Sequence, residues 1–255
     1  MDNRPVGIMD SGVGGLTVAS VLRRRWPEET ICYIGDSLRN PYGERTSEEI
    51  ARFAGEMKDF LLGRGVKAIV VGCNTITFNT PASFYEGPVP VIGMSADFSS
   101  LPKTAKAAVF ATPASIASHS HRRGLERALP GAEIAEVPCD GLANAIETGA
   151  PEETIRGIIA RCIRTYHAEG AGAAVLGCTH YPLVRRLFEA LMPGTVFFDP
   201  AERTVEDAME RLAAADALAD ARGDDAFYFT AGTDEAAALM AKVFGKQMPA
   251  APAVL

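Results

Sequence analysis

The chain has 255 residues, 47% hydrophobic and 22% charged, with a formal net charge of −7 at pH 7. That composition describes a globular protein long enough to bury a full core, as one large domain or two lobes. The acidic balance excludes a general nucleic-acid binder as a primary role, because such a protein needs a basic face; no stretch reaches the roughly 18 apolar residues of a membrane span.

Short apolar strands alternate with amphipathic helical patterns. Strands are predicted over 5–9, 31–35, 68–72, 89–93, 107–111, 133–137, 173–177, 195–198 and 226–230. Helices are predicted over 14–25, 46–64, 115–128, 152–168, 182–191, 203–215 and 234–244. This alternation implies an α/β fold: mostly parallel sheets with helices on both faces and right-handed crossovers. The stretch AADALADARGDD (214–225) reads as a helix end and an exposed acidic turn, and the final QMPAAPAVL as a loose end.

The opening strand VGIMD runs into DSGVGG. Asp10 and Ser11 fall at its C-terminal edge, where ligands bind in open α/β sheets. The glycines permit a tight turn whose free N–H groups suit an anion. Neither the dinucleotide-binding glycine pattern nor a P-loop is present, so a carboxylate suits this turn better than a nucleotide. The second strand, ICYIGD, leads into SLRNPYGERT, where Asn40-Pro41-Tyr42-Gly43 is a strong turn signal.

One unit occurs twice: AIVVGCNT at 68–75 and AAVLGCTH at 173–180. Each reads as a buried parallel strand that stops at a glycine and presents a thiol among small polar groups. The repetition suggests two similar lobes, residues 1–95 and 96–203, with 204–255 returning to the first. Two thiols built this way can stand on opposite sides of one small ligand. Inversion of a carbon centre without a cofactor requires that arrangement.

There are five cysteines, at 32, 73, 139, 162 and 178. The odd count and the lack of an apolar leader point to the cytoplasm, where thiols stay reduced. Cys32, Cys139 and Cys162 lack polar company and read as structural. A metal is not expected, because the usual zinc spacings are missing despite the Cys178/His180 and His119/His121 pairs. A cysteine hydrolase using Cys178 with His180 as base leaves Cys73 without a role. No lysine lies in a strand-end motif, which argues against a Schiff-base cofactor.

In order and spacing, DSGVGGLTV, GDSLRNPYG, GCNT and GCTHYPL resemble the cofactor-independent glutamate racemases of the aspartate/glutamate racemase superfamily. The resemblance runs from about residue 6 to about residue 245. It implies two pseudo-symmetric α/β lobes with the active site in the cleft between them. It implies Cys73 and Cys178 as paired catalytic acid/bases, supported by Asp10, His180 and Glu147. Substrate would be lined by Asp10, Ser11, Pro41, Tyr42, Gly43, Asn74, Thr75, Thr179 and His180. Thr112 and Ser115 remain able to offer hydroxyls to a substrate carboxylate. The activity implied is interconversion of L- and D-glutamate, with no cofactor, supplying D-glutamate for bacterial peptidoglycan. The chain departs from the family pattern at Ser118–His121, where His121 replaces a tyrosine, and at Ser95-Ala96-Asp97. Racemisation of aspartate or another amino acid, or amino-acid sensing without turnover, are the alternatives. Pairing of two copies as a homodimer is left open.

Overall fold

The computed structural model describes residues 1–255. In chain order its elements are β1 (Val6–Asp10), α1 (Leu16–Arg25), β2 (Ile31–Gly35), α2 (Ser47–Leu62), β3 (Ala68–Val71), α3 (Asn74–Asn79) and β4 (Val91–Ile92). There follow β5 (Lys106–Ala111), α4 (Pro113–Ala117), α5 (Ser120–Ala128), β6 (Glu133–Pro138), α6 (Leu142–Glu147), α7 (Glu152–Thr165), β7 (Ala173–Gly177), α8 (Arg185–Leu191) and β8 (Val196–Phe198). The chain ends with α9 (Pro200–Ala214), β9 (Ala226–Phe229), α10 (Thr233–Phe244) and β10 (Ala250–Pro252). Two compact units result: Met1–Met94 with Ala201–Leu255, and Ser95–Pro200.

The first unit holds a six-stranded sheet in the order β10-β9-β2-β1-β3-β4, with every pair parallel. Its central strands are buried along their whole length, as a sheet covered on both faces demands. Side chains alternate between those faces. Ile8, Tyr33 and Val70 pack with Leu16 and Leu22 of α1, Val205 and Met209 of α9 and Met240 of α10. Met9, Ile34 and Val71, one residue on in each strand, pack with Ile50, Phe53, Met57 and Leu61 of α2. Helix α2 starts where the sequence signals it: Thr46 accepts the N–H of Glu49, and the Glu49 carboxylate returns to the N–H of Thr46.

The second unit repeats the plan with four parallel strands in the order β6-β5-β7-β8. Phe110 and Leu176 face Ile155, Ile159 and Phe188 from α7 and α8. Val109 and Val175 face Leu125 of α5 together with Phe98.

Three expectations fail here. The helix predicted over 115–128 is two helices, broken at His119, whose φ of 53° is left-handed. The break follows from local polar competition: the Ser118 hydroxyl donates to the Ser115 carbonyl at 2.7 Å and accepts the N–H of Ser120 at 3.2 Å. The C-terminal tail is not loose, because Ala250–Pro252 pairs in parallel with Phe227–Phe229 as the sheet's edge strand. The acidic turn before β9 is not wholly exposed either. The Asp225 side chain is buried, accepting from Arg23 at 2.5 Å and from the N–H of Ile31 at 2.9 Å.

Candidate active site

In the first unit, the C-terminal ends of β1, β2 and β3 sit side by side and deliver Asp10, Asp36 and Cys73. Asp10 is fully buried and its Oδ1 accepts the N–H of Gly12 at 2.8 Å. The turn after it needs glycine for close approach. A Cβ on Gly15 would lie 2.6 Å from Cβ of Asp10 and 3.1 Å from the Tyr33 hydroxyl. That hydroxyl donates to the carbonyl of Gly12 at 2.8 Å and pins the turn.

Cys73 continues β3 in extended conformation and stands at the N-terminus of α3. Its Sγ lies 3.7 Å from Oγ of Ser11. Burial, and then the negative charge of Asp10, push this thiol up to about 12, against backbone N–H donors from Ile76 and Ser11 and the Ser11 hydroxyl. Cys73 therefore holds its proton at neutral pH. Asn74 and Thr75 are buried in the first turn of α3.

Pro41, after a cis peptide bond, leads into a 3-10 turn of Tyr42, Gly43 and Glu44. The Tyr42 hydroxyl is spent inside the unit: it donates to Oδ2 of Asp36. Asp36 is fully buried and also accepts from Nε of Arg39 at 2.5 Å and from the Thr230 hydroxyl at 2.8 Å. Burial and this carboxylate raise the Tyr42 phenol, so it stays protonated. Asp36 is thus the anchor of the Asn40–Gly43 loop, and the sequence reading passes over it. Its signal was present: IGD at residues 34–36 ends its strand as IMD does at 8–10.

In the second unit, β7 ends at Gly177 and the chain turns through Cys178, Thr179 and His180, all three buried, into a 3-10 turn at Tyr181–Val184. Cys178 opens no α-helix directly, unlike Cys73. Instead it has an imidazole. Nδ1 of His180 lies 3.7 Å from Sγ of Cys178, and Nε2 lies 3.0 Å from Oε2 of Glu147 at the C-terminal end of α6. Burial opposes charge on His180, but the Cys178 thiol and the Glu147 carboxylate outweigh it and hold the imidazole well above its ordinary range. Thr112 accepts the N–H of Ser115 at 3.3 Å, capping α4, and donates to the Ser115 hydroxyl at 3.0 Å. His121 is buried behind β7: a Cβ on Gly177 would lie 2.9 Å from its Nε2. Burial lowers His121 to about 3, so it packs as a neutral ring.

The structure therefore brings the sequence-predicted residues into two groups. Asp10 and Ser11 surround Cys73, and His180 and Glu147 support Cys178. The Cys73 thiol is held protonated, and the Cys178 sulfur lies beside an imidazole held toward its charged form. No group of three or more His, Cys, Asp or Glu side chains is placed to hold a metal ion.

The family model described as Asp/Glu/Hydantoin racemase matches residues 17–208. The glutamate racemase of Lactococcus lactis subsp. cremoris (strain SK11) is 37% identical over 243 residues, covering 92% of this chain and 89% of the relative. A glutamate racemase isoform from Bacillus anthracis superposes with a TM-score of 0.91 at 31% identity, over 100% of this chain and 99% of the other. The Francisella tularensis glutamate racemase, solved in complex with D-glutamate, gives 0.88 at 28% identity, covering 100% and 98%. With a family match across most of its length and relatives of this identity, the chain belongs to the Asp/Glu/Hydantoin racemase family.

Proposed function

We propose that this chain is a glutamate racemase in which Cys73 and Cys178 act on opposite faces of one bound glutamate, without a cofactor. The observation that carries the reading is the pairing of two buried strand-end thiols with opposite electrostatic settings. Racemisation needs one base and one acid at the same moment. A free cysteine is only a few per cent thiolate at neutral pH, so two unassisted thiols would rarely be found in complementary states. Here Cys73 is kept as thiol by burial and Asp10. Cys178 sits against an imidazole that its own sulfur and the Glu147 carboxylate hold toward the charged form.

In the L-to-D direction, the Cys178 thiolate removes the α-proton from one face. The electron pair moves onto the α-carboxylate, and the Cys73 thiol delivers its proton to the opposite face. The enzyme is left with thiol at Cys178 and thiolate at Cys73, the state that takes D-glutamate in reverse. Ser11, Asn74, Thr75 and Thr179, with backbone N–H groups of the two turns, hold the substrate carboxylates, and Asp10 takes the ammonium. Thr112 and Ser115 supply hydroxyls from the second unit. Pro41, Tyr42 and Gly43 contribute backbone, because the Tyr42 hydroxyl is committed to Asp36. The two compact units act as the two lobes of the enzyme. Its place is the reducing cytoplasm of a bacterium, and its product feeds peptidoglycan.

Polarimetry of purified protein with L- and D-glutamate, and separately with aspartate and neutral amino acids, tests the reading. Convergence of both glutamate enantiomers to zero rotation is expected. Turnover of aspartate alone, or binding with no change in rotation, would replace it.

A further inference from the structure

Cys178 follows directly on the last residue of β7, and that residue is a glycine. The space a side chain would take at Gly177 is already filled. A Cβ there would lie 2.9 Å from Nε2 and 3.0 Å from Cε1 of His121, with Cβ of Ala111 next at 3.1 Å. Ala111 is the register partner of Gly177 on β5, and Thr112 follows it. One imidazole therefore lies against the strand end that delivers Cys178, on the side of the sheet that α5 covers.

The packing around the ring is equally close. His121 is the second residue of α5 and 1% exposed. Leu125, one turn on, packs with Val109 and Val175 of the same sheet. The imidazole runs parallel to Phe98, at 17° with centroids 6.3 Å apart, and Phe98 is met edge-on by Phe198 of β8 at 5.5 Å. Helix α5 is itself pressed onto the chain beside it: a Cβ on Gly124 would lie 2.4 Å from the Ala96 carbonyl and 2.8 Å from the Phe98 ring. In an interior packed this tightly, a change of one methyl group displaces its neighbours.

We propose that His121 is a positioning residue for Cys178: its ring is the stop against which the end of β7 lies, and it sets where the Cys178 sulfur stands beside His180. It takes no proton in the reaction, since burial keeps the ring neutral. The effect on racemisation rests on the function proposed above; the effect on Cys178 reactivity does not.

The test is a double-mutant cycle on the whole protein with Gly177→Ala, His121→Ala and both together. In the first the new methyl meets the ring; in the second the stop is gone. Each should lower racemisation about 10- to 100-fold, as small misplacements of a reacting group do. The double variant gives the methyl part of the vacated space, so its loss should be smaller than the product of the single losses by about threefold or more. Deuteron removal by Cys178 should become the slow step. α-Deuterated L-glutamate should then show a larger primary isotope effect than α-deuterated D-glutamate in both single variants. Without substrate, iodoacetamide labelling of Cys178 should slow by about threefold or more in each single variant, as the sulfur leaves its imidazole, while labelling of Cys73 stays unchanged. This arm decides even if glutamate is not turned over. If His121→Ala does not fold, Gly177→Ala, a change of one methyl, decides through its isotope effects and its Cys178 labelling. Strictly multiplicative losses in the cycle, isotope effects that stay alike for the two enantiomers, or Cys178 labelling at the unaltered rate would overturn the proposal.

Discussion

Glu147 and His180 meet at 3.0 Å, carboxylate oxygen to imidazole Nε2, across 33 residues of chain. The other ring nitrogen faces Cys178 at 3.7 Å. The Cys178 and Glu147 contacts together convert a buried ring that would prefer to be neutral into one that favours its charged form.

Glu147→Gln keeps the shape and removes the charge. His180 should then lose its proton at lower pH, and the alkaline limb of kcat/KM for L-glutamate should move down with it. A fall of about 10²-fold in the rate at neutral pH is in the range for a weakened acid–base group. The stability effect has a defined sign. A histidine raised on folding contributes stability that is fully present below its unfolded value of about 6.5 and is lost as pH rises through the folded value. Glu147→Gln should therefore lower Tm more at acidic than at alkaline pH, by an amount equivalent to about 1–3 kcal/mol at most.

The two thiols should differ in reactivity. With Cys73 raised to about 12, alkylation of the native protein near neutral pH should label Cys178 well before Cys73. Asp10→Asn removes the charge that opposes the Cys73 thiolate, so Cys73 labelling should quicken in that variant. Mass spectrometry of iodoacetamide-treated protein reads both outcomes. Faster labelling of Cys73 in the unaltered protein would contradict the assignment of the stored proton.

Gly15→Ala should damage the site from behind. The added methyl has its nearest neighbour at Cβ of Asp10, 2.6 Å away, so the backbone or Asp10 must shift. Overpacking of this kind destabilises by about 1–3 kcal/mol. Activity should fall further than stability explains, because Asp10 faces Cys73. Thermal melts beside kcat measurements separate the two effects.

At the opposite end of the same sheet, Lys67 and Glu29 form a buried ion pair at 2.7 Å. Lys67 also donates to the carbonyls of Asp2 and Ala217, at 2.6 and 2.8 Å, and Glu29 accepts the N–H of Ala219 at 2.9 Å. Glu29→Ala strands a buried ammonium and should destabilise by about 3–5 kcal/mol, with Lys67→Met/Glu29→Ala less harmful than the single change. Denaturant melts of the three variants check the ordering.

The strands were legible because sheets covered on both faces require continuous apolar runs, and VGIMD, AIVV and AAVLG are such runs. Helices α3 and α6 were not predicted, since six residues span under two turns and show no full period. Strand β10 hid in a proline-rich tail, where Pro252 is tolerated only because the strand lies at an edge. The break at His119 depends on hydroxyl contacts that helical periodicity does not register. Within the site, a repeated strand end exposes both thiols to sequence reading. The contact of Glu147 with His180 has no local signature, and only the family resemblance pointed to it. Asp36 was passed over although IGD ends its strand as IMD does; Arg39 and Tyr42 are local partners, and Thr230 reaches it only when β2 pairs with β9.

The central claim is that each thiol serves one face of the substrate, and single-thiol variants in deuterated water test it most directly. Proton NMR of the glutamate α-position should show Cys73→Ala exchanging the α-proton of L-glutamate but not of D-glutamate, and Cys178→Ala the reverse. Racemisation should fall by at least about 10³-fold in both. Exchange of both enantiomers by either variant, or racemisation at the unaltered rate, would contradict the account.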